Sequence, residues 1–112
     1  MANTFLNKKV DLTTTDVTTL YTVPTAATAI IKSILVSEDS GNADTITVTI
    51  TAGSDVFSLF KTKAVGANTT VELLTAPLVI EESEILKVTA ATANRLHVVV
   101  SALETKKRVV TT

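Results

Sequence analysis

"ADTITVTITAGSDVFSLF", residues 43–60, alternates threonine with branched apolar residues from Thr45 to Thr51. That is the two-residue period of a strand with one dry face and one hydrated face. Ile46, Val48 and Ile50 are therefore expected to face a core, and Thr45, Thr47 and Thr49 to face water or a neighbouring subunit. Gly53 to Asp55 turns the chain, and "VFSLFKT" at residues 56–62 reads as the next strand.

The same vocabulary extends in both directions. "VTTLYTV" at residues 17–23 stops at Pro24, which cannot donate to a ladder. "ATAIIKSILVS" at residues 27–37 places Ile30, Ile34 and Val36 on one face and Ile31 and Leu35 on the other, so it reads as a strand covered on both sides. The turn-forming "EDSGNAD", residues 38–44, is expected to join that strand to the threonine strand as a hairpin. Downstream come "TTVELLT" at 69–75, "LVI" after Pro77, the acidic turn "EESE" at 81–84, "ILKVTAA" at 85–91 and "RLHVVVSAL" at 95–103. No segment carries a helical period. The reading is an all-β chain, an antiparallel β-sandwich of jelly-roll or Ig-like type with seven to eight short strands. Residues 1–16 are expected to be an N-terminal arm, 17–104 the sandwich domain and 105–112 a basic C-terminal tail.

Composition narrows the function classes. Hydrophobic residues make up 46% of the 112 and charged residues 19%, too apolar for a disordered chain. Apolar runs are too short for a membrane span, and "ANTFLNKK" after Met1 lacks the apolar centre of a signal peptide. About a fifth of the residues are threonine, whose branched β-carbon favours strands. The net charge of −1 gives no field to draw nucleic acid, so neither nucleic acid nor membrane is expected as a partner. There is no cysteine, which removes disulfides, thiolate nucleophiles and the common structural zinc sites.

Candidate chemistry is sparse. His97 is the only side chain whose ordinary pKa lies near neutrality, and alternation sets it beside Arg95 and Ser101. No motif supplies the serine and carboxylate partners that catalysis requires, so it reads as a solvated or interface histidine. Glu38, Asp39, Asn42 and Asp44 offer oxygens to a hard cation, but the spacing is not that of an EF-hand and a solvated turn is the simpler reading. Glu81, Glu82 and Glu84 read the same way. Gly41, Gly53 and Gly66 stand apart and cradle no phosphate. Lys106, Lys107 and Arg108 at one end, with Lys8 and Lys9 near the other, suit frayed termini or arm contacts between subunits. Catalytic, cofactor and metal residues are accordingly expected to be none, and the chain is not expected to be an enzyme.

The segments "LYTVP", "IIKSILVSE", "VELLTAPLVIEESEILKV" and "VVVSALE", within residues 17–104, resemble small virion proteins of marine and cyanobacterial tailed phages. The resemblance implies a β-sandwich structural protein located in the virion, on the capsid exterior or in the tail. It implies a capsid decoration, or cement, protein that stabilises the shell, with the major capsid protein as partner and a homo-oligomer, a trimer being one candidate, as the working form. A tail, neck or fibre-associated component is the alternative. A carbohydrate- or cell-surface-binding module comes third, since sugar platforms want exposed aromatics and the chain has no tryptophan and only Tyr21.

Overall fold

The computed structural model describes residues 2–106. Nine strands follow one another: β1 (Ala2–Asp11), β2 (Thr18–Thr22), β3 (Ala27–Glu38), β4 (Asp44–Ala52), β5 (Asp55–Val65), β6 (Thr70–Glu72), β7 (Leu78–Ile80), β8 (Ile85–Ala90) and β9 (Leu96–Lys106). They form two antiparallel sheets. The first runs β1-β9-β3-β6, with β7 on the same side of β3 as β6, and the second runs β2-β8-β4-β5. Both β6 and β7 pair antiparallel with β3, at its two ends, so they are halves of one edge strand broken at "LLTAP". Pro77 has no N–H to continue the ladder there. Counting that pair once gives eight strands in the order 1-8-3-6 over 2-7-4-5. This is the jelly-roll order, two interlocked Greek keys.

The threonine strand behaves as its alternation dictates. Ile46, Val48 and Ile50 are buried, and Thr45, Thr47, Thr49 and Thr51 lie half-buried on the opposite face. Between the sheets these residues meet Ile31, Ile34 and Val36 of β3, Leu86 and Val88 of β8, and Leu96, Val98 and Val100 of β9 in one core. The link from β4 to β5 is a two-residue loop, Gly53–Ser54, with Gly53 at φ +62° in the first central position. A type II′ hairpin turn places a positive φ there, which glycine tolerates without a steric penalty.

Four expectations are corrected. First, β3 and β4 do not form a hairpin: they belong to opposite sheets, and 39–43 crosses between them. β3 pairs with β9 and β4 with β8, and Glu38, only 1% exposed, gathers the crossing loop around its carboxylate. Second, β3 changes phase. A register shift between Ile31 and Ser33 puts Ala27, Ala29 and Ile31 inward before it, and Ile34, Val36 and Glu38 inward after it. Ile30 thus faces outward, opposite to Ile34, because a bulge inserts one residue and reverses the alternation beyond it. Third, the outer face of β3 is not covered by other described residues, and Leu35 is 38% exposed.

Fourth, the expected arm contains a strand. β1 pairs with β9 without interruption from Ala2↔Lys106 to Asp11↔His97, and Leu12 beyond it is buried. Leu6 and Val10 pack on the core, and Lys8 places its ammonium 5.8 Å from the centre of the Tyr21 ring across the sandwich. "ANTFLNKKVD" is poor in β-branched residues, so the strand is set by the long partner β9 rather than by local preference. At the other end Thr105 and Lys106 continue β9, while Lys107 and Arg108 lie outside the described residues.

Candidate functional site: the outer face of the first sheet

The cation-binding candidates do not converge. The Glu38 carboxylate accepts the N–H groups of Ser40 (2.8 Å), Gly41 (3.1 Å) and Asn68 (3.1 Å) and the Ser40 hydroxyl. Burial opposes its ionisation, but these four donors outweigh burial and lower its pKa to about 2. Asp44 accepts the Thr92 N–H at 3.0 Å, and Asp39 turns to His97. These carboxylates organise backbone, tying the β3–β4 crossing to the β5–β6 loop and to the chain after β8. The acidic turn is stitched likewise: Glu84 accepts the Glu81 N–H at 2.7 Å, and Glu82 accepts the Ala26 N–H at 2.6 Å.

His97 acquires partners that local sequence could not supply. Its Nε2 lies 3.3 Å from Asp39 Oδ1, and its Nδ1 lies 3.7 Å from Asp11 Oδ1. Ser37 is its cross-strand neighbour on β3, but Nε2 is directed at a carboxylate. A serine-histidine-acid relay needs that nitrogen on the nucleophile's hydroxyl; here the imidazole sits between two carboxylates and is not directed at Ser37. Arg95 donates to the Ala43 carbonyl at 3.0 Å, and Ser101 lies on the same outer face as His97, two rungs away.

Tyr21, the aromatic candidate for a sugar platform, is buried. Its hydroxyl donates to Glu104 Oε2 at 2.6 Å, and burial first, then the adjacent carboxylate, push its pKa up. Lys106 Nζ stands 3.7 Å from the other oxygen of Glu104. The pair is a polar rivet between β2 and β9, across the two sheets.

What sequence reading missed is the apolar content of one outer face. The ladder aligns Phe5 of β1 with Leu103 of β9, Leu103 with Ile30 of β3, and Ile30 with Val79 of β7. All four point away from the core, and Phe5 is 77% and Val79 56% exposed. Four strands thus present one apolar rung. Two rungs away, Lys9, Val99, Leu35 and Glu72 align in the same way. Glu72 is held in place, its carboxylate accepting the Ser33 hydroxyl and the N–H groups of Ile34 (2.8 Å) and Leu74 (3.2 Å). Burial raises its pKa, but those donors prevail and lower it overall. Between the two rungs a shallow depression of about 320 Å³ is lined by Phe5, Asn7, Lys32 and Ser101. The bulge in β3 was the missing signal, since it turns Ile30 out to complete the rung.

No protein-family model and no curated protein matches this chain. Among solved structures, it is similar to a chain from the work described as "Bacillus endospore appendages form a novel family of disulfide-linked pili". The likeness is one of fold. It spans 96% of this chain and 93% of the other, with a TM-score of 0.53 and 12% identity.

Proposed function

We propose that this chain is a non-catalytic structural subunit that works by assembling with other proteins, and specifically a decoration protein on the outside of a phage capsid. The observation that carries the reading is the apolar rung Phe5–Leu103–Ile30–Val79, on a sheet face that no other described residues cover. Exposed apolar surface on a rigid sheet favours burial against a partner, at about 25 cal/mol per Å² covered. Repetition over a symmetric shell multiplies a modest contact into a stable one. Binding that favours the assembled shell over its parts stabilises it by mass action, with no chemical step.

A tail or appendage component is the second reading, and the outline of the molecule favours it. The chain measures 58 × 27 × 23 Å, a rod able to stack end to end, and the similar fold belongs to a protein described as forming pili. Those pili are described as disulfide-linked; this chain has no cysteine, so its assembly rests on packing and pairing alone. Quantitative mass spectrometry of purified particles tests both readings. A copy number near that of the major capsid protein supports decoration, a ratio of order one-tenth or less supports a tail, neck or fibre ring, and absence from particles overturns both.

A further inference from the structure

We propose that the outer face of the first sheet packs against the same face of a second copy, about a two-fold axis that runs parallel to the strands between β9 and β3. The inference rests on the assembly reading and names the occupant of the open face.

The ladder register decides the axis. With the axis along the strands, each rung meets the same rung of the other copy, reversed from edge to edge. Phe5 then lies over Val79 of the second copy, Leu103 over Ile30, Val99 over Leu35, and Lys9 over Glu72. Apolar residues meet apolar residues, and the one charged pairing is of opposite sign and occurs twice. Lys9 makes no ion pair among the described residues, and Glu72 is already fixed by its backbone donors. His97 falls over Ser37, Asp11 over Thr70, and Lys32, exposed at the bulge, over Ser101, so no like charges lie directly over one another, although the two copies of Lys32 flank the axis; the axis across the strands would stack Lys32 on its own copy. A two-fold axis across the strands does the reverse: it sets Phe5 against Lys9 and Val79 against Glu72, burying charge on apolar surface without a partner. Electrostatic complementarity of this kind fixes register and excludes the wrong arrangement.

The size is suitable. Four strands about 4.8 Å apart, over about nine residues of length, give a footprint of roughly 550 Å² per copy. That lies below the roughly 800 Å² per partner of a standard interface, as fits a reversible dimer. Aligned sheets cross at about 30°, which shifts the ends of the rungs by about one residue, within reach of a lysine and a glutamate.

The purified chain tests this without any particle, so its failure and the failure of the virion reading are separable. Sedimentation velocity over a concentration series should show a monomer–dimer equilibrium, weakened about tenfold or more by Phe5→Lys, with the thermal melt checked to confirm folding. Lys9→Leu should weaken the dimer under the proposed axis and strengthen it under the crossed one. The absence of native cysteine permits a further check: mixing the single variants Phe5→Cys and Val79→Cys with a short bis-maleimide should give a covalent heterodimer that neither variant gives alone. A monomer at all concentrations, a trimer, an association indifferent to Phe5→Lys, or no cross-link in the mixture would overturn the proposal.

Discussion

The two sheets share one core but turn different faces outward. On the second sheet, β4 presents Thr45, Thr47, Thr49 and Thr51, flanked by Thr89 and Lys87 of β8, with apolar residues at the hairpin end, where Ile85 of β8 and exposed Val56 of β5 flank Thr51. On the first sheet, the corresponding rungs carry Phe5, Leu103, Ile30 and Val79, then Val99 and Leu35. Threonines pack their methyls along a strand and offer their hydroxyls to water or backbone, as Thr47 does to the Thr62 N–H; at the Thr51 end the Oγ1 is instead buried without a hydrogen-bond partner among the described residues. The apolar face gains by being covered. The proposed assembly accordingly uses the apolar face and leaves the threonine face to solvent.

Inner positions should not distinguish the sheets, and this sets the largest expected effect. Ile34→Ala in the first sheet and Ile46→Ala in the second, both fully buried, should each cost about 2–5 kcal/mol in urea unfolding. A cost confined to one sheet would show that the core is not shared. Next comes the acid response of the first sheet. The folded pKa of Glu38, about 2, lies below its ordinary 4.5, so its contribution is complete above about pH 4.5 and is lost as pH falls toward 2. Glu38→Gln should lower stability near neutrality and flatten the fall in urea midpoint over that window; an unchanged profile would break the account of the loop. Tyr21→Phe removes the rivet between the sheets and leaves Glu104 with one donor fewer, at about 2 kcal/mol by thermal melt. The smallest effect lies on the threonine face. Thr47 accepts the Thr62 N–H at 3.0 Å where β5 bulges and Thr62 adopts φ +50°, so Thr47→Val should cost about 1 kcal/mol. Thr49→Val, with no such bond, should be close to neutral in the same unfolding assay.

Much of the sandwich was legible because alternation is local. From Thr45 to Thr51 each residue announces its face, and the strands read at 27–37 and 95–103 from their own apolar content fall on β3 and β9. What escaped depended on residues distant in sequence. The β3 bulge is recorded only in the pairing of Ile31 and Ser33 with Ala102 and Ser101 of β9, so neither the inversion of Ile30 nor the apolar rung could be read from "ATAIIKSILVS". β1 escaped because its pairing lies at the far end of the chain. The β3–β4 crossing looked like a hairpin because "EDSGNAD" has turn composition, whereas β3 pairs with β6, β7 and β9 and β4 with β5 and β8, and Glu38 gathers the crossing through bonds that include the N–H of Asn68. The His97 cluster needed Asp11 and Asp39, brought together by the first sheet and the loop after it.

Hydroxyl-radical footprinting tests most directly whether assembly uses the first sheet's outer face, through two exposed phenylalanines. Phe5 stands on that face and Phe57 on the β4–β5 hairpin of the other sheet, and both are more than half exposed in the single chain. Between dilute isolated chain and assembled particle, labelling of Phe5 should fall several-fold while that of Phe57 holds. Protection of Phe57 with Phe5 unchanged would contradict the account and move the interface to the other sheet.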